Sequence, residues 1–280
     1  MSHGDHWRCI FPDLHNGIAD ALGWVSQGTV LGQREYPSLA VPGGDAGATV
    51  SVIAWPATVL HANFVVVRDK RGGRAYLHTA FPAVGAGCPH RIRIDSVHEV
   101  SCGLEARISG VLGDAAVTFF DPLYSLNRGR YKPGTIVDVE LAAIAYSLKV
   151  VPRGTKLKTA VGEVGMDGAA VLMSARTSSS EEPGEGVGDE KAYGVAYVEQ
   201  PDSYPLPDDY QFCAPVKDVQ KSRIGAIPVW SFRGTVMRVH DGRQDVEIHI
   251  YATGEGMPDG VAPAPGEEIS GALWLQGTSR

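Results

Sequence analysis

Residues 94–148, IDSVHEVSCGLEARISGVLGDAAVTFFDPLYSLNRGRYKPGTIVDVELAAIAYSL, and residues 216–277, VKDVQKSRIGAIPVWSFRGTVMRVHDGRQDVEIHIYATGEGMPDGVAPAPGEEISGALWLQG, carry the same order of signals. Each opens on an apolar lead-in, Ile94-Asp95-Ser96-Val97 and Val216-Lys217-Asp218-Val219. A strand-like run containing glycine follows, Ile108-Ser109-Gly110-Val111 and Phe232-Arg233-Gly234-Thr235-Val236. A second run ends in aromatics, Val117 to Phe120 and Val246 to Tyr251. A loop then leads to Pro-Gly (Pro133-Gly134, Pro265-Gly266) and a last apolar run, Ile136 to Tyr146 and Ile269 to Leu275. Gly110 and Gly234 are 124 residues apart, whereas Phe119 and Tyr251, like Pro133 and Pro265, are 132 apart. An insertion of eight residues around Met237 to Gln244, where a hairpin tip belongs, accounts for the difference. Two copies of one small β module are the reading.

Working outward, 34 glycines and 18 prolines in 280 residues are spread as turn punctuation, which favours many short strands over long helices. A glycine inside a strand marks a bulge or the bend that wraps a sheet on itself. The expected fold is therefore mainly β: two related small barrels or sandwiches, behind an N-terminal β-rich region with one short helix. Five short strands per copy are similar, at the level of fold alone, to an oligonucleotide/oligosaccharide-binding (OB) barrel. The division expected is 1–90 for the N-terminal region, 91–173 for the first module, 174–192 for a flexible acidic linker or exposed loop, and 193–280 for the second module.

Within the N-terminal region, Asp13 to Trp24 reads as a short helix. Asp13 stands at the cap, and Leu14, Ile18, Ala21 and Leu22 form its apolar stripe. Residues 48 to 82 read as strands, with a hairpin tip at Asp69 to Arg74. Between the modules, Lys156 to Val164 supplies a further strand, and Met166 to Met173 fits strand or helix. Ser174 to Lys191 is rich in Ser, Gly and acid and too poor in apolar residues to offset chain entropy by burial.

Hydrophobic residues at 44% and charged residues at 20% suit a chain with a proper core. The net charge of −7 disfavours duplex nucleic acid, which needs a basic face to displace counterions. The four cysteines are scattered without a Cys-x-x-Cys pair, and no signal peptide or membrane span is read, so a cytoplasmic protein with free thiols is expected.

The densest candidate site is the loop Asp121, Tyr124, Asn127, Arg128, Arg130, Tyr131 and Lys132, where cations alternate with tyrosines. Aromatics stack on bases while Arg and Lys meet phosphates, as single-strand binders require. The competing reading makes it a connecting loop whose tyrosines cap the core. The matching loop of the second copy, Gly254 to Gly260, is acidic and non-aromatic. Cys88, His90, His98 and Cys102 are ligand types that zinc accepts, but their spacing does not match a zinc knuckle. The alternative is a loop Cys88, a buried Cys102 and two surface histidines. His3, His6 and Cys9 form a weaker group of the same kind. Trp24, Trp55, Trp230 and Trp274 read as core.

No nucleophile elbow, Walker loop, dinucleotide fingerprint or His-Glu-x-x-His is present. A site assembled from distant loops would be invisible here; Asp121, Tyr124 and Asn127 could join His61 or His78 in space. The functional expectation is a non-enzymatic binding protein, its partner another protein or a second copy, engaged through sheet edges or barrel loops. Single-stranded nucleic-acid or phosphate-ligand binding through residues 124–132 is the first alternative. A metal-dependent enzyme using Cys88, His90, His98 and Cys102 is the second.

Overall fold

A computed structural model describes residues 3–11, 13–40, 46–70, 75–113, 115–152, 157–159, 162–164, 171–174, 208–238, 245–257 and 260–280. The chain is mainly β. A 3-10 segment, His3–Cys9, leads to helix α1, Leu14–Gly23, and a 3-10 turn, Trp24–Gln27. Four strands follow: β1 Thr29–Ala40, β2 Ala46–Trp55, β3 Leu60–Asp69 and β4 Ala75–Val84. They form an antiparallel meander in sequence order. In β2 the alternate residues Ala48, Val50, Val52 and Ala54 are buried, as the period of two demands.

The first repeat becomes β5 Cys88–Val100, β6 Glu105–Leu112, β7 Ala115–Phe120, the single turn α2 Tyr124–Asn127, and β8 Ile136–Val151. Short pieces β9 Leu157–Thr159, β10 Gly162–Val164 and β11 Val171–Ser174 come next. The second repeat becomes β12 Asp209–Ile224, β13 Ile227–Arg238, β14 Asp245–Thr253 and β15 Glu268–Ser279. β9 pairs with β10, and the other strands from β5 onward share one nine-stranded sheet.

The two repeats pair alike. β5 pairs with β6 and β8, and β6 with β7; β12 pairs with β13 and β15, and β13 with β14. The likeness extends to single bonds. Ile94 N donates to Thr135 O (2.8 Å) and Gly134 N to Ile94 O (2.7 Å); Val216 N donates to Glu267 O (2.9 Å) and Gly266 N to Val216 O (2.8 Å). Gly134 and Gly266 sit at φ 83° and 88°, the left-handed region that explains glycine after proline here. A bulge follows at Ile94/Ser96 and at Val216/Asp218. Opposite it lie Gly110 and Gly234, where a Cβ would stand 2.4 Å from Arg93 O and 3.1 Å from Pro215 O.

The repeats meet along β8 and β15, antiparallel from Val139–Ser279 to Val151–Glu268. The middle of β8 also pairs parallel with β14, and Gln276 of β15 with Phe120 of β7. The pairings thus trace two five-stranded rings, β8-β15-β12-β13-β14 and β15-β8-β5-β6-β7, with the β8–β15 ribbon in common. One apolar core fills both, including Phe119, Leu141, Ala143, Phe212, Phe232, Ile250, Leu273 and Leu275. Side chains complete the seams. The Tyr210 hydroxyl accepts from Thr118 N (2.7 Å) and donates to Thr118 O (2.9 Å), and His90 Nε2 donates to Glu247 O (2.7 Å).

β8 is buried on both faces in its middle, which explains the unbroken apolar run Leu141 to Ala145. Leu141, Ala143 and Ala145 point into the rings, while Ala142 and Ile144, with Phe120, Tyr251 and Trp274, join Trp7, Phe64 and Phe81 in a second core. That second core holds the four-stranded sheet against the rings.

The helix expected at Asp13–Trp24 is found at Leu14–Gly23, the strand at 156–164 is the β9–β10 pair, and β11 covers the end of 166–173. The acidic stretch 175–192 and the hairpin tips 71–74 and 239–244 lie outside the described residues. No described helix is long and apolar enough to cross a membrane.

Candidate functional site

The loop 121–132 is bound from within. Asp121 is buried and accepts from Leu123 N (2.8 Å) and Asn127 Nδ2 (3.1 Å); burial pushes its carboxyl up to about 6. The Tyr124 hydroxyl donates to Glu99, and burial, then that bond, raises it well above the ordinary tyrosine range. Tyr131 is buried beside Phe119 and accepts from Ser279 N (3.0 Å). Arg128 clasps Glu99 through Nε and Nη2, both at 2.9 Å, and Arg130 donates to Arg280 O (2.8 Å). Lys132 is exposed. The tyrosine faces that a single-stranded base would need are therefore packed in the protein, which corrects the stacking role expected for Tyr124 and Tyr131. Their apolar rings fill the end of the barrel core.

The same loop docks on the four-stranded sheet. Tyr36 OH donates to Ser125 O (2.6 Å), Arg34 Nη1 donates to Leu126 O (3.1 Å) and Arg128 O, and both Arg34 and Arg128 lie over the Tyr36 ring.

Cys88, His90, His98 and Cys102 are not brought together. Cys88 and His90 sit at one end of β5 and His98 near the other, a span of about 26 Å at strand rise. No group of three metal-ligating side chains occurs among the described residues. The alternative reading also needs correction. Cys88 and His90 are buried, and it is Cys102, in a 3-10 turn with φ 59°, that is exposed. Near the terminus, His6 lies flat on Trp274, ring centroids 3.7 Å apart, and its Nδ1 donates to Tyr146 OH (2.6 Å), which donates to Asp209 (2.7 Å). Cys9 is turned to His6 O (2.8 Å), and the His3 side chain lies outside the described residues. Trp274 is fully buried, whereas Trp24, Trp55 and Trp230 are half-buried.

Two features missed in the sequence adjoin each other. The first is the contrast between the edges of the four-stranded sheet. β4 is covered: Gln276 bonds Pro82 O and Val84 N, and Trp7 Nε1 donates to Ala80 O (3.3 Å). β1 has no strand on its outer edge among the described residues, and Val30 (49%) and Leu31 (44%) stand exposed there.

The second is a cleft of about 410 Å³ between the two sheets, with Leu31 at its rim. Small residues of β2, β8 and the 85–87 turn leave it open. His61 and Asn63 enter it from the same face of β3. His61 Nδ1 donates to Thr58 O (2.9 Å), and burial pushes the imidazole below its ordinary range. Asn63 Nδ2 donates to Pro122 O (3.0 Å), and its buried Oδ1 has no hydrogen-bond partner. The Asn63 side chain is near enough to draw the His61 pKa upward, yet outside hydrogen-bond geometry. Glu140, also lining the cleft, takes Arg280 Nε at 2.9 Å. Of the distant groupings considered from sequence, only Asp121 with Asn127 forms a direct bond. The overlooked signal is a pair of polar residues at i and i+2 inside the apolar run Leu60 to Val67.

No family model, curated protein or solved structure matches this chain.

Proposed function

We propose that this chain is a binding protein built on duplicated β modules, its partner a polypeptide segment from another protein or from a second copy that adds to β1. The asymmetry of the four-stranded sheet carries this reading. The β4 edge is covered by side chains from the rings and the N-terminal segment, while β1 exposes Val30 and Leu31. A bare strand edge offers unpaired N–H and C=O groups to an incoming strand, and natural proteins cover such edges unless they are used. The docked loop 121–132 supports β1 from behind through Arg34 and Tyr36.

The test is sedimentation of the full chain across micromolar concentrations, alongside crosslinking in cell extract. Wild type is expected to self-associate, or to crosslink to a partner through residues 29–35. The Val30→Lys, Leu31→Lys double variant is expected to lose that contact. A wild type that stays monomeric and shows no crosslink sensitive to the double variant rejects the reading.

A further inference from the structure

We infer that the first repeat carries an open strand edge at Cys88–Arg91 that takes an extended acidic segment of another protein. The second repeat shows the same edge paired. There β11 lies on β12, Val171 to Ser174 running against Cys213 to Tyr210. Counting back from the matched residues Ile94 and Val216, Arg91 falls on Cys213 and Cys88 on Tyr210. The partners on the common ribbon agree. Arg91 pairs with Asp138 and Cys213 with Ser270, each four residues past the matched glycines Gly134 and Gly266. On the side of Cys88–Ile92 away from β8, however, no strand lies among the described residues. The first repeat has none to spare, because β4 belongs to the four-stranded sheet and the 85–87 turn leads straight from it into β5. In the corresponding place is a cavity of about 550 Å³, bordered by Pro89, Arg91, Arg93, Gly113 and Ile136.

The edge is accessible, and its chemistry selects the partner. Backbone bonds alternate in direction along an antiparallel strand. Ile94 bonds towards the start of β8, its N donating to Thr135 O, and so Ile92 and His90 bond towards β8 as well. The N–H and C=O of Arg91 and the C=O of Pro89 therefore point away from β8, and both residues are exposed. Such groups pair with an incoming strand. Arg91 and Arg93 project on the outer side, since Ile92 and Ile94 are fully buried on the inner one. Arg91 Nε stands 3.9 Å from Asp138, beyond hydrogen-bond length, and its side chain is 76% exposed. Arg93 meets Asp95 at 3.0 Å, again in the open. Ion pairs so exposed hold little. Two guanidinium groups are thus available to carboxylates two residues apart on an added strand, whereas a basic segment would meet like charge. Ile136, 58% exposed opposite Arg93, gives that strand an apolar neighbour.

The test is a capped peptide, acetyl-Thr-Val-Glu-Val-Glu-Val-Thr-amide, titrated into the full chain and followed in ¹H–¹⁵N spectra with the Arg91 backbone amide as reporter. It is expected to saturate with a Kd below about 1 mM, as suits so short a contact, and to slow hydrogen exchange at Arg91. The same peptide with Lys for Glu loses the charge match, and with N-methyl groups along its backbone it loses the pairing. Each is expected to bind at least about tenfold more weakly. Arg91→Glu with Arg93→Glu, both at exposed positions, is expected to reverse the choice between the Glu and Lys peptides, an outcome that misfolding cannot produce. Val30→Lys with Leu31→Lys is expected to change nothing, so failure at β1 and failure here are read separately. Absence of saturable shifts at Arg91 overturns the proposal. So does equal binding of the N-methylated peptide, an unreversed preference in the charge-swapped protein, or binding lost with Val30→Lys and Leu31→Lys.

Discussion

Gln276 completes the edge of β4 at Val84: its Oε1 accepts from Val84 N at 3.0 Å while its Nε2 donates to Pro82 O at 3.0 Å. One amide side chain thus stands in for a fifth strand and joins the four-stranded sheet to β15. Gln276→Leu leaves a buried N–H and a buried C=O without partners, and is expected to cost about 3 kcal/mol. Gln276→Glu keeps the acceptor for Val84 N but sets a buried carboxylate oxygen against Pro82 O, and should cost at least as much at pH 7. Urea unfolding of the three proteins checks the order. A Leu variant as stable as wild type would refute the anchoring role.

Cysteine reactivity should separate one thiol from three. Cys9, Cys88 and Cys213 are buried, and desolvation pushes them up to about 12, 11 and 12; Cys102 is exposed. At pH 8 a thiol reagent is expected to modify Cys102 within minutes, and the other three only on unfolding, because the thiolate is the reacting form. Peptide mapping that finds Cys88 modified as fast as Cys102 would contradict the burial of β5.

Asp121 should leave a signature in pH. Burial raises its carboxyl to about 6, against bonds from Leu123 N, Asn127 and Tyr131. Between about 4 and 6 the native chain holds a proton that the unfolded chain has released, so this group's contribution to stability falls as pH rises, by up to about 3 kcal/mol in all. Asp121→Asn cannot ionise. The stability of the variant relative to wild type should therefore climb from pH 4 to pH 7, whatever its offset at pH 4. His61, His90 and His249, lowered by burial, bias stability the opposite way, but equally in both proteins. Thermal melts across that range are the measurement, and a flat difference would exclude a buried, titrating Asp121.

Asp208 accepts from Arg107 Nε (2.6 Å) and Trp274 Nε1 (2.7 Å), and both partners of this ion pair are almost fully buried. Arg107→Met strands a buried carboxylate and is expected to cost about 3 kcal/mol or more, nearly independent of salt. Strong salt dependence of that loss would place the pair at the surface.

Much of the fold was legible because it is local. The Pro-Gly steps marked the turns at Gly134 and Gly266, and Gly110 and Gly234 lie opposite the bulges, which fall in the partner strands β5 and β12. The candidate site was less legible. Tyr124 and Tyr131 alternate with Arg and Lys as they would in a nucleic-acid loop, and alternation alone does not tell a stacking ring from a core ring. Cys88 and Cys102 lie close in sequence, but a strand carries them far apart, which composition does not register. His61 and Asn63 were polar intruders in an apolar strand, and their meaning depended on what faced them.

Turn chemistry and the period of two, both properties of neighbouring residues, determined the β character, the short helix and the matched order of the two repeats. Only the tertiary structure decided that β8 and β15 run together as a common ribbon, that Gln276 reaches β4 and that Asn63 meets Pro122. Hairpins form from adjacent stretches and leave edges over. Which leftover edge meets which is settled by the packing of whole sheets, and no local pattern encodes it.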